Sequence, residues 1–482
     1  MRYKIVYRLQ LLLILFIIML SCGKAPIPSL SVIDIENKKL IVLTGERTKP
    51  VNLFDADFVI IGGGLGGIAA ALSICSSGRT VILIEETDRI AGCFASEDTS
   101  QFSENRFIET SGSSLTYRTF RSKIREWYEK KAQSQPQIFT DLYGHFSDFS
   151  TGNFCFETEA ALDVINEMLE KNIDRGKLTV LKRHKVAKII SFNNRIASLQ
   201  AVDMGNLICN QITGWMFIDA TRTGYILPMA GIDYTVGRES KIDTGEPHAP
   251  EAPDSLFSHE MYYSDNPFPT DDSGDYQSCY IEELSEIKPE GDKNILYLPV
   301  QREPRRIKAL IRIVEQDIAA DFQKGPRARF FVDSVGIGYF PINIPDDRYN
   351  QKRLLIETLP FQIPLKALLS AQCPNFIAGG GTLGATYITS TAYGAPSVEW
   401  AIGEAAGEVA ALCAGHSIYT HELANSLKLI KELQNWLVEK RGVPIYWYDD
   451  VTPEDPDFLE AQLKPFENPD YYYSSNALHY HQ

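Results

Sequence analysis

The chain has 482 residues, of which 44% are apolar, and its 47 basic and 62 acidic residues give a formal net charge of −15. This length accommodates two packed domains, or one large domain with an insertion, and the apolar content fits a globular core rather than a disordered chain. The excess of negative charge disfavours binding to nucleic acid or to anionic lipid.

The first 22 residues have the pattern of an export signal. Basic residues precede a ten-residue apolar run, LLLILFIIML at residues 11–20, which is too short to span a bilayer. The run ends MLSCG, which resembles a bacterial lipobox, in which the cysteine, here Cys22, is lipidated and becomes the new N-terminus. We therefore expect an exported protein that is anchored to the cell envelope, in the periplasm or outer membrane, only through a lipidated Cys22. Plain secretion and an uncleaved anchor are the alternatives.

The regular α/β pattern begins after a tether and a short hairpin whose turn falls near Asn37. Residues 57–61 (DFVII) and 81–84 (VILI) are continuous apolar runs typical of buried strands, and the small residues of 66–77 predict a helix between them. Together these segments predict one βαβ unit.

The turn of this unit reads GGGLGG, with Gly62, Gly64 and Gly67 in a G-x-G-x-x-G frame. The first glycine permits a tight turn, the second lets the backbone approach a pyrophosphate, and the third lets the helix pack on the strand. The helix N-terminus offers N–H groups to phosphate, and Glu85, at the end of the second strand, can accept from ribose hydroxyls. The pattern predicts a dinucleotide-binding turn, the alternative being a glycine-rich packing turn.

The middle of the chain predicts helices and then a β-meander. Residues 117–131 and 157–170 are predicted helices, and residues 178–219 predict a meander with a turn at Asn193-Asn194 and a buried end strand, WMFID.

The second half begins with an irregular stretch. Residues 243–292, rich in Pro, Asp, Glu and Ser, predict an insertion on the substrate side, and helices are predicted at 396–414 and 423–440.

FAD and NAD share the glycine frame, so the cofactor has to be identified from the rest of the chain. After Glu85 the sequence continues ETDRIAGC, much as in flavoproteins of the glutathione-reductase type, where a glycine loop near the pyrophosphate follows the acidic residue. The meander closes on FIDATRTG at 217–224, which resembles the flavoprotein strand followed by Ala-Thr-Gly and departs from it at Arg222 and Thr223.

Further stretches, in this order and spacing, resemble the bacterial FAD-dependent oxidoreductase family, whose members are often loosely labelled xanthan lyase. They are REPRR (302–306), DSVG (333–336), IPLKAL (363–368), PNFIAG (374–379) and IGEAAG (402–407). The resemblance covers about residues 57–456. It implies an α/β fold: a discontinuous Rossmann-like FAD-binding domain with a β-meander and an inserted α+β substrate domain, with FAD bound non-covalently.

The resemblance also implies domain bounds and cofactor contacts. The segments are a signal peptide (1–22), a tether and hairpin (23–54), three parts of the FAD-binding domain (55–116, 151–235 and 361–415), a helical segment (117–150), the substrate domain (236–360), and a C-terminal helix and tail (416–482). The expected cofactor contacts are Gly62, Gly64, Leu65, Gly66, Gly67, Glu85, Glu86, Gly92, Cys93, Val186, Ala220, Thr221, Gly224, Gly379, Gly381, Thr382 and Ala395.

A second glycine frame, IAGGGTLGA at 377–385, could be a second dinucleotide site. The strand NFIA leads into it, but no second buried strand follows, because Glu399, at the spacing of a ribose-binding acid, lies within the predicted helix 396–414. We therefore expect this cluster to approach the same FAD, while the helix that begins near Ala395 points its positive end towards the isoalloxazine. One FAD and no NAD is the prediction.

The candidates for chemistry are few. Many relatives carry an arginine and a histidine after the second cluster, whereas residues 380–391 contain neither. Arg305 or Arg306 could orient an anionic or polyhydroxyl substrate, or could form a structural salt bridge. Tyr387 and Tyr393, in the turn before the last helix of the FAD domain, could donate hydrogen bonds to the flavin or simply pack.

The cysteines and histidines predict no metal site. The eight cysteines include no C-x-x-C pair, and lipidation of Cys22 leaves an odd number, so buried free thiols are expected. A redox or covalent-flavin role for Cys93 is the less favoured alternative to an inert thiol. The eight histidines include no H-x-x-x-H or H-E-x-x-H pair.

These observations predict an exported FAD-dependent oxidoreductase that oxidises a small polar substrate, such as a carbohydrate, by hydride transfer to FAD and passes electrons to an unidentified acceptor. The missing arginine and histidine leave open a non-catalytic flavin- or glycan-binding surface lipoprotein. A polysaccharide lyase is less favoured, because lyase chemistry has no use for a dinucleotide site.

Overall fold

The computed structural model describes residues 29–35, 38–44, 52–96, 99–134, 153–253, 260–264, 294–298, 305–344, 354–468 and 478–481. The predicted signal segment, the turn at Asn37, most of the predicted insertion at 243–292 and the first three residues of REPRR lie outside these residues.

The elements are numbered here in chain order. The strands are β1 (Ser29–Ile35), β2 (Lys38–Thr44), β3 (Asn52–Asp55), β4 (Phe58–Ile61), β5 (Val81–Ile84), β6 (Thr99–Ser103), β7 (Asn153–Glu157), β8 (Leu178–Leu181), β9 (His184–Phe192), β10 (Arg195–Asp203), β11 (Cys209–Thr213), β12 (Met216–Asp219), β13 (Tyr234–Thr235), β14 (Glu260–Ser264), β15 (Asn294–Leu298), β16 (Arg306–Ile307), β17 (Ser334–Gly338), β18 (Ile342–Ile344), β19 (Leu354–Ile356), β20 (Phe361–Pro364) and β21 (Phe376–Ala378). The helices are α1 (Leu65–Ser76), α2 (Cys93–Ser96), α3 (Leu115–Ser134), α4 (Thr158–Asp174), α5 (Ile226–Ala230), α6 (Lys241–Thr244), α7 (Glu315–Ile318), α8 (Leu365–Leu368), α9 (Tyr387–Tyr393), α10 (Pro396–His416), α11 (Thr420–Ala424), α12 (Leu427–Arg441) and α13 (Phe458–Glu467), with a 3₁₀ turn at Ala320–Phe322.

A five-stranded sheet in the order β21-β12-β4-β5-β8 forms the centre of the predicted Rossmann-like domain. All of its strand pairs are parallel. Every residue of β4, β5, β12 and β21 is buried, as expected for parallel strands covered on both faces. The predicted βαβ unit is confirmed as β4-α1-β5. Because the strands are parallel, the turns after β4, β12 and β21 meet at one edge of the sheet.

The predicted meander is confirmed in part. Strands β9, β10 and β11 form it, and Asn193 and Asn194 turn between β9 and β10 with φ of 50° and 58°, the left-handed geometry of a tight hairpin. The predicted bounds of 178–219 were too wide, since β8 and β12 belong to the parallel sheet. Strand β8 is only partly buried at the edge of that sheet, so its sequence resembles that of a meander strand. Strand β3, which was not predicted, extends the meander sheet by pairing with β11.

The helical predictions also need two corrections. The predicted helix at 396–414 is confirmed as α10, but residues 423–440 form two helices, α11 and α12. The break lies at Ser426, whose side chain accepts a hydrogen bond from the Leu429 N–H and caps α12. Tyr387 and Tyr393 begin and end a helix, α9, where a turn was predicted.

Strands β1 and β2 form the predicted hairpin. Strands of the second half of the chain also form short antiparallel pairs with one another and with β13, among them β13 with β16 and β17 with β20. Among the helices that the structure describes, none combines the length and the apolar character needed to cross a membrane.

Candidate functional site

The first glycine cluster is a tight turn in which Gly62 and Gly67 leave no room for a Cβ. Gly62 has a φ of +102°, and a Cβ there would lie 2.3 Å from the Ala220 carbonyl oxygen. A Cβ on Gly67 would lie 2.0 Å from the Gly62 carbonyl oxygen, so the third glycine lets α1 pack against the strand end. Gly64 is the N-cap of α1 and has no side chain that could cap the helix, and the Gly66 N–H of the first turn lies 3.4 Å from a Glu399 carboxylate oxygen. The N–H groups of the first turn, from Leu65 onwards, can therefore serve an anion.

The second glycine cluster lies directly against the first. A Cβ on Gly66 would lie 1.9 Å from the Gly379 carbonyl oxygen, and the Gly379 N–H donates to the Asp219 carbonyl at 2.8 Å. The continuously described residues from Gly379 to Arg441 contain no strand, so the second cluster opens no βαβ unit of its own. The two clusters form one site at the edge of one sheet.

The acidic residue predicted for ribose stands beside the glycine turn. The Glu85 carboxylate accepts from the Gly63 N–H at 2.7 Å and from the Thr87 N–H at 2.8 Å. Glu86 forms an ion pair with Lys185 at 2.6 Å, and the Lys185 ammonium lies 4.9 Å from the centre of the Tyr225 ring.

The predicted contact Val186 belongs to the same region. It is fully buried on β9, and its N–H donates to the Tyr225 hydroxyl at 3.4 Å. The structure thus brings Glu85, Glu86 and Val186 together at the end of β5.

The loop after β5 returns to the glycine turn. The Ala91 N–H donates to the Gly63 carbonyl at 2.8 Å, and a Cβ on Gly92 would lie 3.0 Å from the Gly64 Cα. Cys93 begins α2 and is half-buried, Cys209 is buried, and the Cys75, Cys373 and Cys413 thiols are buried and free, as expected.

The segment after β12 closes the opposite side of the site. The buried Asp219 carboxylate accepts from the Thr221 N–H at 2.9 Å, and the Thr221 hydroxyl accepts from the Gly224 N–H at 3.0 Å. Burial raises the pKa of Asp219 to about 7. The Thr382 hydroxyl donates to the Asp219 carbonyl at 3.2 Å, which ties the second cluster to this segment. Ala220 is buried in the same turn.

The end of α10 that faces the two clusters is also uncapped. Ala395 is its N-cap, in extended conformation, and among the described residues no side chain caps this end. Gly381 lies half-buried at the opening of the second cluster. Glu399, in the first turn of α10, places a carboxylate oxygen 3.4 Å from the Gly66 N–H nitrogen. The sequence had excluded Glu399 as a ribose ligand because it lies in a helix, but the fold brings it to the phosphate-binding turn.

The predicted catalytic arginines are held by structural contacts. Arg306 is completely buried, pairs with Glu239 at 3.0 Å and donates to the Gly237 carbonyl at 2.6 Å. Arg305 donates to the Thr223 carbonyl at 3.1 Å. The buried pair of Arg306 is the arrangement expected of a structural salt bridge rather than of a substrate ligand.

The predicted tyrosines are both buried. The Tyr387 N–H donates to the Glu239 carboxylate at 2.9 Å, so it shares its partner with Arg306. The Tyr393 hydroxyl donates to the Gln362 carbonyl at 2.8 Å, and its ring lies 4.6 Å from the Phe361 ring. Packing accounts for Tyr393.

A histidine–glutamate pair beside the second cluster was missed. His248 Nδ1 lies 2.5 Å from Oε1 of the fully buried Glu315, and the Glu315 N–H donates to Glu246 at 2.7 Å. Glu246 also accepts from the Thr386 hydroxyl at 2.6 Å, and burial raises the pKa of Glu246. His248 and Glu315 are 67 positions apart, so no local spacing pattern could have revealed the pair.

Comparison with protein families gives one match, to the family described as FAD dependent oxidoreductase. It covers residues 57–283 and 275–437, which is well over half of the chain. No curated protein matches.

Similar solved structures are distant. The FrdA chain of E. coli quinol fumarate reductase is 12% identical, with 81% of this chain and 74% of that chain covered and a TM-score of 0.33. A geranylgeranyl bacteriochlorophyll reductase-like protein from Thermoplasma acidophilum is 10% identical, with 81% and 85% covered and a TM-score of 0.32. Mycobacterium smegmatis Sdh1 is 11% identical, with a TM-score of 0.24, and the match covers 36% of this chain and only 35% of that one. At such low sequence identities and TM-scores, no activity of these proteins is assigned to this chain.

The residues present fit a dinucleotide. The N–H groups at the N-terminus of α1 suit a pyrophosphate, the Glu85 carboxylate stands beside the glycine turn as expected of a ribose ligand, and the glycines let the helix and the strand ends pack closely around this turn. Gly62, Gly64, Leu65, Gly66 and the residues that face them would hold the group. The chain belongs to the FAD-dependent oxidoreductase family, and its cofactor is FAD.

Proposed function

We propose that this protein is an exported, lipid-anchored flavoenzyme that oxidises a small polar molecule, such as a carbohydrate, and passes the electrons to a separate acceptor. The observation that carries the proposal is the combination of the FAD site with an export signal that ends in a lipobox-like cysteine, Cys22. An oxidoreductase outside the cytoplasm meets polar nutrients and cell-surface glycans rather than cytoplasmic metabolites.

Bound FAD would supply the hydride acceptor, and a side chain of this protein would take the proton that the substrate hydroxyl loses. We assign this role to His248. Glu315 holds Nδ1 of the imidazole at 2.5 Å, so Nε2 is the ring nitrogen that can take a proton from a substrate hydroxyl. The His248 side chain is 45% exposed, and the Glu246 contact places the pair next to Thr386, just after the second glycine cluster.

Anaerobic titration of the FAD-loaded protein with a panel of sugars and hydroxy acids tests the proposal. A substrate bleaches the flavin absorbance near its long-wavelength maximum, and His248→Gln slows that bleaching without loss of bound FAD. If no compound in the panel bleaches the flavin while dithionite does, the proposed oxidation of a small polar substrate is refuted. If His248→Gln bleaches at the wild-type rate at every pH, the base lies elsewhere.

The lipid anchor has its own test. Cys22→Ser should move the protein from the membrane fraction to the soluble fraction of the envelope, because a single thioether-linked cysteine is the proposed attachment point. Unchanged membrane association of Cys22→Ser would contradict the lipoprotein proposal.

A non-catalytic flavin- or glycan-binding lipoprotein is the second candidate. It is favoured by the structural engagement of Arg306 with Glu239 and by the lack of any histidine at residues 382–391. Photoreduced flavin that stays reduced in air and with artificial acceptors, together with tight glycan binding, would support this candidate over the enzyme.

A further inference from the structure

The carboxyl group of Glu399 lies inside the phosphate-binding turn. Its Oε1 is 3.4 Å from the Gly66 nitrogen, and this oxygen is 3.2 Å from the position that a Cβ would take on Gly64. The same oxygen lies 3.7 Å from the Cβ position of Gly380, in the second cluster. A carboxyl group therefore occupies the space between the two glycine clusters, at the donors that a pyrophosphate needs.

An ionised carboxylate at this place opposes the cofactor. The N-terminus of α1 attracts one anion, and a second negative charge within a few ångströms repels it. A protonated carboxyl group carries no charge and can donate a hydrogen bond to a phosphate oxygen. The protonation state of Glu399 thus decides whether this side chain competes with the pyrophosphate or supports it.

We propose that Glu399 makes FAD binding proton-linked: the pyrophosphate is held tightly when the Glu399 carboxyl group carries a proton, and its ionisation weakens binding. The inference rests on FAD as the cofactor and not on the proposed substrate or location.

The surroundings favour the neutral form of Glu399. Burial raises its pKa, while the Gly66 N–H and the positive charge of Arg222 act in the opposite direction. Helix α1, which packs against α10, carries no acidic or basic side chain.

The other ionisable groups near Glu399 have partners of their own. The Glu85 carboxylate is engaged by the Gly63 N–H, and the Asp219 carboxylate by the Thr221 N–H. Further along α10, Glu404 and Glu408 face Arg441 of α12 at 3.6 and 3.0 Å.

The affinity for FAD should fall as pH rises, because binding and protonation of Glu399 are thermodynamically linked. Bound pyrophosphate raises the pKa of Glu399 further, so FAD affinity is highest below the pKa of the free protein. The affinity falls as pH rises towards the pKa of the complex, by at most about tenfold per pH unit. The pKa of Asp219 is also raised, to about 7, so the pH dependence of the wild-type protein alone does not show whether Glu399 or Asp219 causes it.

Glu399→Gln isolates the effect, because a carboxamide resembles the protonated carboxyl group and does not ionise. We would measure the dissociation constant of FAD for the full-length apoprotein in detergent, by quenching of flavin fluorescence, between about pH 5 and pH 9. Calorimetry in buffers of different ionisation enthalpy gives the protons taken up on binding. The matched control is Glu170→Gln, which removes the same charge from an exposed position on α4.

The expected result is a wild-type affinity that falls with pH and a proton taken up on binding. Glu399→Gln should bind FAD as tightly as wild type does at low pH, with a flat profile and the proton uptake of Glu399 lost, while Glu170→Gln follows wild type. The proposal is overturned if the FAD affinity of Glu399→Gln falls with pH in parallel with that of wild type, or if this variant binds FAD more weakly than wild type at every pH. Glu399→Thr, a second neutral variant, should give the same result as Glu399→Gln. Loss of FAD binding in all proteins, Glu170→Gln included, would instead contradict the cofactor assignment.

Discussion

Gly403→Ala tests the packing that holds the two halves of the FAD site together. Gly403 lies in α10 where this helix crosses α1, and a Cβ there would be 2.0 Å from the Gly66 carbonyl oxygen and 2.5 Å from the Gly66 Cα. Real Cβ atoms keep at least 3.0 Å from such neighbours, so the two helices must separate by about 1 Å. Because both obstructing atoms are backbone, no side-chain rotation relieves the contact.

The change in the free energy of unfolding on Gly403→Ala is the sum of two opposing effects. Overpacking a close-packed contact costs about 1–3 kcal/mol, and replacing glycine by alanine inside a helix returns about 1 kcal/mol. Gly415→Ala, in the last turn of the same helix, changes only the helix propensity, because a Cβ there would point into open space. The difference between the two variants therefore gives the packing cost, about 1–3 kcal/mol.

Urea unfolding followed by circular dichroism, with FAD at one fixed concentration, measures this difference. The Gly403→Ala protein should also bind FAD more weakly, since Gly66 belongs to the phosphate-binding turn. Equal stability of the two variants, with unchanged FAD affinity, would refute the inference that α1 and α10 meet at glycine contacts.

The remaining predictions concern buried charge. Arg306→Ala leaves the Glu239 carboxylate without its cation, so we expect the free energy of unfolding to fall by about 3–5 kcal/mol; lost activity with unchanged stability would instead indicate a substrate-binding arginine. Burial raises the pKa of Asp219 from 3.8 to about 7, so the stability that this group contributes is complete below about pH 4 and is lost as pH rises to about 7. Asp219→Asn should flatten this part of the stability profile, and an unchanged slope in urea unfolding would contradict the assignment.

Local sequence patterns were enough for the segments whose structure depends on near neighbours. The buried strands β4 and β5, the glycine turn between them and the asparagine hairpin turn have local physical causes: uninterrupted apolar residues, left-handed backbone and a helix N-terminus. The predictions were wrong where contacts between distant segments decide which sheet a strand joins. Strand β8 is apolar enough for either sheet, and its place in the parallel sheet depends on pairing with β5, about a hundred residues earlier.

The sequence by itself determined the dinucleotide-binding turn and the number of such turns, because a second βαβ unit would need a second buried strand, and the described residues 379–441 contain none. It left the role of each charged group undecided. Arg306 and Glu239 are 67 positions apart, and Glu399 lies 333 positions from Gly66. Only the fold places Arg306 in a buried ion pair and the Glu399 carboxyl group among the phosphate-binding N–H groups. Charge interactions depend on distance in space, and positions this far apart in sequence can lie at any distance until the chain folds.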